Sequence, residues 1–514
     1  MKIVLAGYNV DSEALDEVRR HEPLRLDLTP ETLSAAYARI SRDPRPADEL
    51  RRAARAEVEK ARRSNQSIIF KMGHHSVAEH AVFNFDLMGV SRLAIEEIEK
   101  FRLCSFTEKS QRYIKLGDDY VVPEEIVRAG KRDLFIETVR TQNAFYHALF
   151  SKLKPYVFET NVELAADPKN HSLLDGWAKE DARYIVSLAT EGQLGLTINA
   201  RNLEWMIRRF AAKPSAEIAS INKRLVELAR GVAPSLLLFT EATPYDAKTS
   251  ESLREAAEEI FGGAAVPKSA GRRFGTIDGS KNTAAPERAG VRLMDATPAG
   301  DNRILAALIH SASGRPYARG LADMRRLSPR RKKSVFLRVF EHMEFYDFPP
   351  REFEHAVLTF ELVLSASAFA QLKRHRMATL TTQDYDPTLG VTVPPSIEAV
   401  GAKSEFQEIV ARTDEVYAAL RPSVGPAAAY VLTNAHRRRV LLNVNLRELY
   451  HLVRLREDAA AQWDIRRIAA AMTKLARARL PLTGMLLGGK DAYPDLYAKV
   501  FGRPPRHLPP KIGK

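Results

Sequence analysis

The sequence predicts an α/β (α+β) protein made of two tandem copies of one domain, each a mixed sheet flanked by helices. Three observations predict it. His80-Ala81-Val82-Phe83-Asn84-Phe85-Asp86-Leu87 is echoed by His355-Ala356-Val357-Leu358-Thr359-Phe360-Glu361-Leu362, the opening Glu-His pairs standing at 79–80 and 354–355, an offset of 275 residues. A helical pattern comes after each segment. Further on, Thr197-Ile198-Asn199-Ala200-Arg201-Asn202-Leu203 is echoed by Asn443-Val444-Asn445-Leu446-Arg447-Glu448-Leu449, at an offset of 246. Three matches in one order mean duplication, not coincidence.

Taken in order, Met1 to Gly7 reads as a first strand, not a signal peptide, because acidic and polar residues come immediately after it. Phe83, Phe85 and Leu87 alternate with Asn84 and Asp86, and Leu358, Phe360 and Leu362 alternate with Thr359 and Glu361. Period two in β-forming residues is a half-buried strand. Val90, Ala94, Glu97/Ile98 and Phe101 then stand one helical turn apart, and the counterpart helix runs from about Ser365 to Arg376. The later matched pair also reads as helical. The drop in offset places extra residues in the first copy, around Lys152 to Asp175. Between Phe261 and Gly290 the chain turns rich in Gly, Ala, Pro and Ser and loses periodicity. The expected division is therefore a first domain over 1–260, a linker over 261–289 and a second domain over 290–514.

A chain of 514 residues suits two or three cores, and 45% hydrophobic content is that of a globular protein. No run of 18 apolar residues occurs, so no membrane span is expected. Cys104 is the single cysteine; it permits no intramolecular disulfide and makes the cytoplasm the expected compartment. The net charge of +14 suits anionic partners. The basic run from Arg325 to Lys333 reads as a solvated helix end or loop, and His436-Arg437-Arg438-Arg439 as a solvated turn of helix. Neither comes with aromatic interleaving or zinc spacing, so nucleic acid is not the expected partner.

Gly73-His74-His75-Ser76-Val77-Ala78-Glu79-His80 has the residue types of a metal site. Its spacing has one residue too many for His-x-x-Glu-His, and a third ligand is missing, so no metal is expected. Taken together with the segments C-terminal to it, the chain resembles the flavin-dependent thymidylate synthases, whose signature is Gly-His-x-Ser/Thr-x-x-Glu-His, a strand, and Arg-His-Arg-x-x-Ser-x-x-Glu-x-Ser-x-Arg-Tyr. The first copy keeps the end of that signature in Ser105-Phe106-Thr107-Glu108-Lys109-Ser110-Gln111-Arg112-Tyr113, while Arg-His-Arg has become Lys100-Phe101-Arg102. The second copy keeps Gln371-Leu372-Lys373-Arg374-His375-Arg376, while Glu, Ser and Arg have become Thr382, Asp384 and Asp386. A phosphate-gripping arginine is matched by Arg183 and lost at Ala429. A base-side arginine is matched by Arg456, where the first copy has Phe210. Asn-x-Arg survives twice, as Asn199/Arg201 and Asn445/Arg447. One departure is Ala460-Ala461-Gln462-Trp463, where the family has His-Ala-Gln-Trp.

The resemblance implies FAD-dependent methylation of dUMP to dTMP, with methylenetetrahydrofolate as carbon donor and NADPH as reductant of the flavin. It implies a homotetramer with shared sites, which a tandem chain would imitate as a homodimer of four domains. One composite site would take Arg374 and Arg456 as catalytic arginines and Gln371 from the second copy, with Glu108, Ser110, Arg112 and Arg183 from the first. Arg112 and Arg183 would grip the phosphate dianion, and Arg374 would stabilise charge developing on the uracil. His74, Ser76, Glu79, His375, Arg376, Asn445, Arg447, Asn199 and Arg201 would contact FAD. The reciprocal site, with Lys100, Glu97, Thr382, Asp384 and Asp386, would repel a phosphate. Two alternatives stay open: flavin-dependent modification of another pyrimidine nucleotide, favoured by the missing histidine, and an inactive flavin- or nucleotide-binding homologue. Classical thymidylate synthase chemistry needs a nucleophilic cysteine; Cys104 reads instead as a small packed residue.

Overall fold

The computed structural model describes residues 1–20, 28–112, 114, 116–261, 277–278 and 290–510. Nearly all of the expected linker, and Tyr113 of the motif, lie outside the described residues. The first copy contains β1 (Lys2–Tyr8), β2 (Val82–Ser91), α1 (Arg92–Ile98), β3 (Cys104–Glu108), α2 (Arg132–Thr160), α3 (His171–Ala182), β4 (Glu191–Asn199), α4 (Ala200–Ala211) and α5 (Ala216–Val232). The second contains β5 (Val291–Ala296), β6 (Val357–Ser365), α6 (Ala366–Leu372), β7 (Thr379–Thr382), α7 (Lys403–Val424), β8 (Arg437–Asn445), α8 (Leu446–Arg456) and α9 (Trp463–Arg479).

The strand orders are β1-β2-β4-β3 and β5-β6-β8-β7, the same topology twice. The sheets expected to be mixed are antiparallel throughout, because each neighbouring pair runs in opposite directions. Alternation sets their faces. Phe83, Phe85 and Leu87 on β2 are buried with Leu194, Leu196 and Ile198 of β4, and Leu358, Phe360 and Leu362 on β6 with Leu442 and Val444 of β8. The opposite faces carry short polar pairs at matching places: Thr197 Oγ1 donates to Asn84 Oδ1 at 2.7 Å, and Asn443 Nδ2 to Thr359 Oγ1 at 2.9 Å.

Two expected helices begin later than the sequence suggested. Val90 is still strand, and α1 starts after Ser91, whose Oγ accepts from Ala94 N at 3.0 Å; Ser365 Oγ does the same for Ala368 N. Likewise Thr197 to Asn199 and Asn443 to Asn445 end strands. Asn199 Oδ1 accepts from Asn202 N at 2.9 Å and Asn445 Oδ1 from Glu448 N at 2.8 Å, so both asparagines cap the next helix, each cap contributing about 1 kcal/mol. Gly89 explains a shift of phase between the copies. It sits in a β2 bulge with φ +65°, a conformation suited to glycine, so equivalent residues are 275 apart before it and 274 after. The extra first-copy residues are the end of α2 and the turn into α3, whereas α7 passes directly into the short helix Gly425–Val431.

The copies meet about a local twofold. Leu188 N donates to Leu432 O at 2.7 Å and Asn434 N to Val186 O at 2.9 Å; Ala189 N donates to Tyr430 O at 3.1 Å and Ala435 N to Tyr184 O at 2.9 Å. Each pair of bonds is one contact made twice, as in an isologous dimer interface. Here lies the main departure from the sequence reading. His436 to Arg439 do not form a solvated helical turn; Arg437 opens β8, and His436, Arg437 and Arg438 are buried. Arg438 stacks on Tyr385, 4.4 Å from its ring centroid, and pairs with Glu96 at 3.2 Å; His436 Nε2 bonds Asp414 Oδ1 at 2.8 Å. A charge run looks solvated when its partners lie far away in sequence. The run from Arg325 to Lys333 is largely exposed, ending one helix and opening Pro329–Phe340.

Candidate active site

At the end of α6 the chain turns and points Arg374 into the first copy. Its Nη2 bonds Glu108 Oε2, at the end of β3, at 2.8 Å. Beneath it, Lys373 Nζ and Glu99 Oε2 pair at 2.7 Å, both side chains about 97–98% buried. Burial would raise the Glu108 carboxyl, but Lys373, Arg92 and Arg374 outweigh it and hold it below the usual range. Glu108 is therefore a fixed anion that aims Arg374.

Past β3, Ser110 Oγ accepts from Arg112 N at 3.1 Å. The Arg112 guanidinium pairs with Glu180 on α3 and donates to Ala460 O at 3.3 Å, at the position of the missing histidine. Arg183 comes just after α3, is 5% exposed, and donates from Nε to Glu180 O at 3.3 Å; its Nη2 has no hydrogen-bond partner among the described residues. Gln371 is 6% exposed and neither its amide oxygen nor its nitrogen has one. Unpaired buried amides and guanidinium nitrogens are costly, and a bound polar ligand would satisfy them. Arg456 donates from Nε to His375 Nε2 at 2.9 Å. Burial, then repulsion from Arg374 and Arg112, lowers the Arg456 guanidinium to about 10, so it stays charged. His375 is pushed well below its usual value by burial, Arg456 and His451; with Nε2 accepting, its proton sits on Nδ1, facing Glu448 at 3.6 Å. Arg374 and Arg112 both repel Arg456, and Arg112 repels Arg183, so guanidiniums from the two copies approach one another within a single chain.

The residues expected to hold flavin divide. Glu79, Asn199, His375 and Arg376 line one open groove of about 610 Å³ between the copies, beside Arg374. Arg376 Nη1 donates to Arg102 O at 3.3 Å. The groove's arginines, with Asn199, Asn202 and Glu448 on its walls, fit a dinucleotide bearing a pyrophosphate and a heteroaromatic ring. His74 and Ser76 are exposed beside the short helix leading into β2, with His74 Nε2 3.5 Å from Arg42 Nη2. Arg201 pairs with Glu79, and the equivalent Arg447 donates to Pro349 O at 2.9 Å and lies 3.7 Å from Glu354. Cys104 opens β3, buried, and burial pushes its thiol up to about 12, a poor state for a nucleophile.

Across the twofold, Glu97, Asp384 and Ala429 line a second cleft of about 270 Å³. Lys100 stands at the place of Arg374 and Glu97 at that of Gln371. Burial would raise the Glu97 carboxyl, but Lys100 and Lys213 hold it at about 2. Phe101 and Phe210 replace His375 and Arg456, their rings 5.6 Å apart edge to face. Asp384, Asp386 and Ala429 stand where Ser110, Arg112 and Arg183 stand in the first cleft.

Arg92, not singled out from the sequence, lies 3.8 Å from Glu108 and donates to Ala366 O at 2.7 Å; the motif residues Gln462 and Trp463, given no role there, act as supports, with Trp463 Nε1 donating to Asp181 Oδ1 at 2.8 Å and Gln462 Nε2 to Tyr184 OH at 2.9 Å.

A family model described as thymidylate synthase complementing protein matches residues 25–235 and again 292–482. A flavin-dependent thymidylate synthase of Clostridium tetani is 29% identical over 215 residues, 41% of this chain and 82% of the relative. One of Geobacter sulfurreducens is 31% identical over 180 residues, 34% and 67% respectively. A UPF0159 protein of Thermoplasma acidophilum runs across both copies, 24% identical over 482 residues, 86% of this chain and 91% of the relative.

Proposed function

Because the chain belongs to the thymidylate synthase complementing protein family, we propose that it methylates dUMP to dTMP with methylenetetrahydrofolate and NADPH, using FAD, at one composite site per chain. The observation that carries this reading is the convergence of Arg374 and Arg456 from one copy with Arg112 and Arg183 from the other, beside the unpartnered amide of Gln371. Arg112, Arg183 and Ser110 bind the nucleotide phosphate, where a dianion replaces the repulsion among guanidiniums. Gln371 offers a donor and an acceptor to a uracil edge. Arg374, aimed by Glu108, faces the uracil and stabilises the negative charge that makes carbon 5 nucleophilic toward the one-carbon unit, with Arg456 held by neutral His375 adding to that field. Glu79, Asn199, Arg201, His375 and Arg376, with His74, Ser76, Asn445 and Arg447 completing the set across a chain dimer, hold FAD, which supplies the hydride when bound. The polar sheet faces beside the groove are the surfaces on which a second chain would dock.

Ala460 favours a second reading, flavin-dependent modification of another pyrimidine nucleotide, since a carbonyl replaces an imidazole beside Arg112. The test is to purify the protein, look for bound flavin, and monitor its visible spectrum on adding dUMP, dCMP or dTMP. Perturbation and folate-dependent flavin oxidation with dUMP support the first reading; a response to another nucleotide alone supports the second. A flavin that responds to none of them, or no bound flavin, overturns both. No helix among the described residues is long and apolar enough to cross a membrane.

A further inference from the structure

Asn434 comes from the second copy, is fully buried, and sits where the twofold brings the copies together. Its Nδ2 donates to Gln111 Oε1 at 3.2 Å and to Arg183 O at 3.0 Å. Gln111 stands between Ser110 and Arg112, so this one side chain bridges the two first-copy segments proposed to grip phosphate. Its backbone carbonyl accepts from Ser367 N at 3.1 Å, on the helix carrying Gln371 and leading to Arg374. Asn434 is thus bonded to the phosphate loop, to Arg183 and to the base-side helix.

The equivalent residue across the twofold is Leu188. Its backbone makes the equivalent bond, accepting from Leu93 N at 3.3 Å, but its side chain packs with Ala366, Tyr385 and Leu432. The side-chain bridge therefore exists at one cleft and is absent from the other, matching the distribution of the phosphate arginines. Both Asn434 Nδ2 bonds are made while its Oδ1 has no hydrogen-bond partner among the described residues, so this buried amide is kept for what its Nδ2 joins rather than for filling space.

We propose that Asn434 is a positioning residue for the substrate site, holding the Ser110–Arg112 loop and Arg183 at the separation a nucleotide phosphate requires. This rests on the reading of that cleft as a dUMP site. It acts through Gln111, Arg183 and their backbone, without touching substrate.

The test uses the full chain with FAD and three variants: Asn434→Leu, which installs the residue of the other cleft, Gln111→Ala, which removes only a half-buried acceptor, and their combination. Hydrogen exchange of the amides of residues 109–112 reads the loop directly. Steady-state kinetics with dUMP read its consequence. Both single variants should speed exchange of the loop, raise KM for dUMP about tenfold and leave kcat within about twofold, the effect of one buried hydrogen bond. The double variant should be no worse than Asn434→Leu, because both break one bridge. Unchanged loop exchange, a loss of kcat at constant KM, or additive effects of the two changes would overturn the proposal. If the loop loosens as expected while the unmodified protein binds no dUMP, the positioning role stands and the reading of the cleft as a dUMP site falls.

Discussion

The two clefts share a backbone and differ in nearly every side chain that matters. In one, the Gln371 amide and Arg183 Nη2 have no hydrogen-bond partner among the described residues, and Arg374 and Arg456 add positive charge; in the other, Lys100 and Lys213 saturate Glu97, Phe210 packs on Phe101, and alanine stands at 429. The losses are paired. Where the His375–Arg456 bond vanishes, an aromatic pair takes both places. Duplication explains how this became possible. In a symmetric dimer a residue near the axis faces its own copy, so a buried Lys373 would face a lysine and a buried Glu99 a glutamate. In this chain the equivalent positions have become Lys and Glu, and they pair at 2.7 Å. Arg92 likewise donates to the carbonyl of its own equivalent, Ala366. Joining two copies in one chain frees each cleft to specialise and lets charge complementarity fix which half meets which.

The largest effect should come from breaking that axial pair. Glu99→Gln leaves Lys373 buried without its partner and should destabilise the chain by roughly 3–5 kcal/mol in urea unfolding, whereas Glu99→Leu combined with Lys373→Met should cost much less. A single-variant loss below about 1 kcal/mol would mean the axis is not held by charge. Next come changes that write one cleft into the other. Arg183→Ala, copying Ala429, should weaken dUMP binding by roughly 2–5 kcal/mol in calorimetry, while Asp384→Ala and Asp386→Ala leave turnover unchanged. Damage from the aspartate changes instead would reverse the assignment of the clefts. The smallest effect concerns pH. His375 is neutral in the folded chain well below its ordinary 6.5, so below that value the unfolded state binds the extra proton. Stability should fall by about 1–2 kcal/mol as pH drops from 6.5 toward 5, and level off above it. His375→Phe with Arg456→Phe, which copies Phe101 and Phe210, should remove that part of the slope; an unchanged slope would assign it elsewhere.

The strands were legible because Phe83, Phe85, Leu87 and their counterparts keep to period two, and the copies were legible because the Glu-His and Asn-x-Arg motifs repeat in order. Helix starts were read early, since Ser91 and Asn199 are caps and the strand before each cap also carries apolar residues. The residues proposed to bind substrate were legible only jointly, as two half-signatures. What could not be read was their support. Arg438, Glu96, Arg92 and Asn434 find their partners across the twofold, hundreds of residues away, and buried charge looks like solvated charge until the partner is known.

In the proposed arrangement one chain builds a whole substrate site from its two copies. The direct measurement co-expresses two differently tagged full-length variants, Arg374→Ala and Arg112→Ala, isolates the mixed assemblies, and assays dUMP-dependent flavin oxidation with the folate. In the proposed site Arg374 and Arg112 come from the same chain, where both act on Arg456, so every site in the mixture lacks one of them. The mixed assemblies should stay as inactive as either variant alone; recovery of activity on mixing would place the site between chains instead.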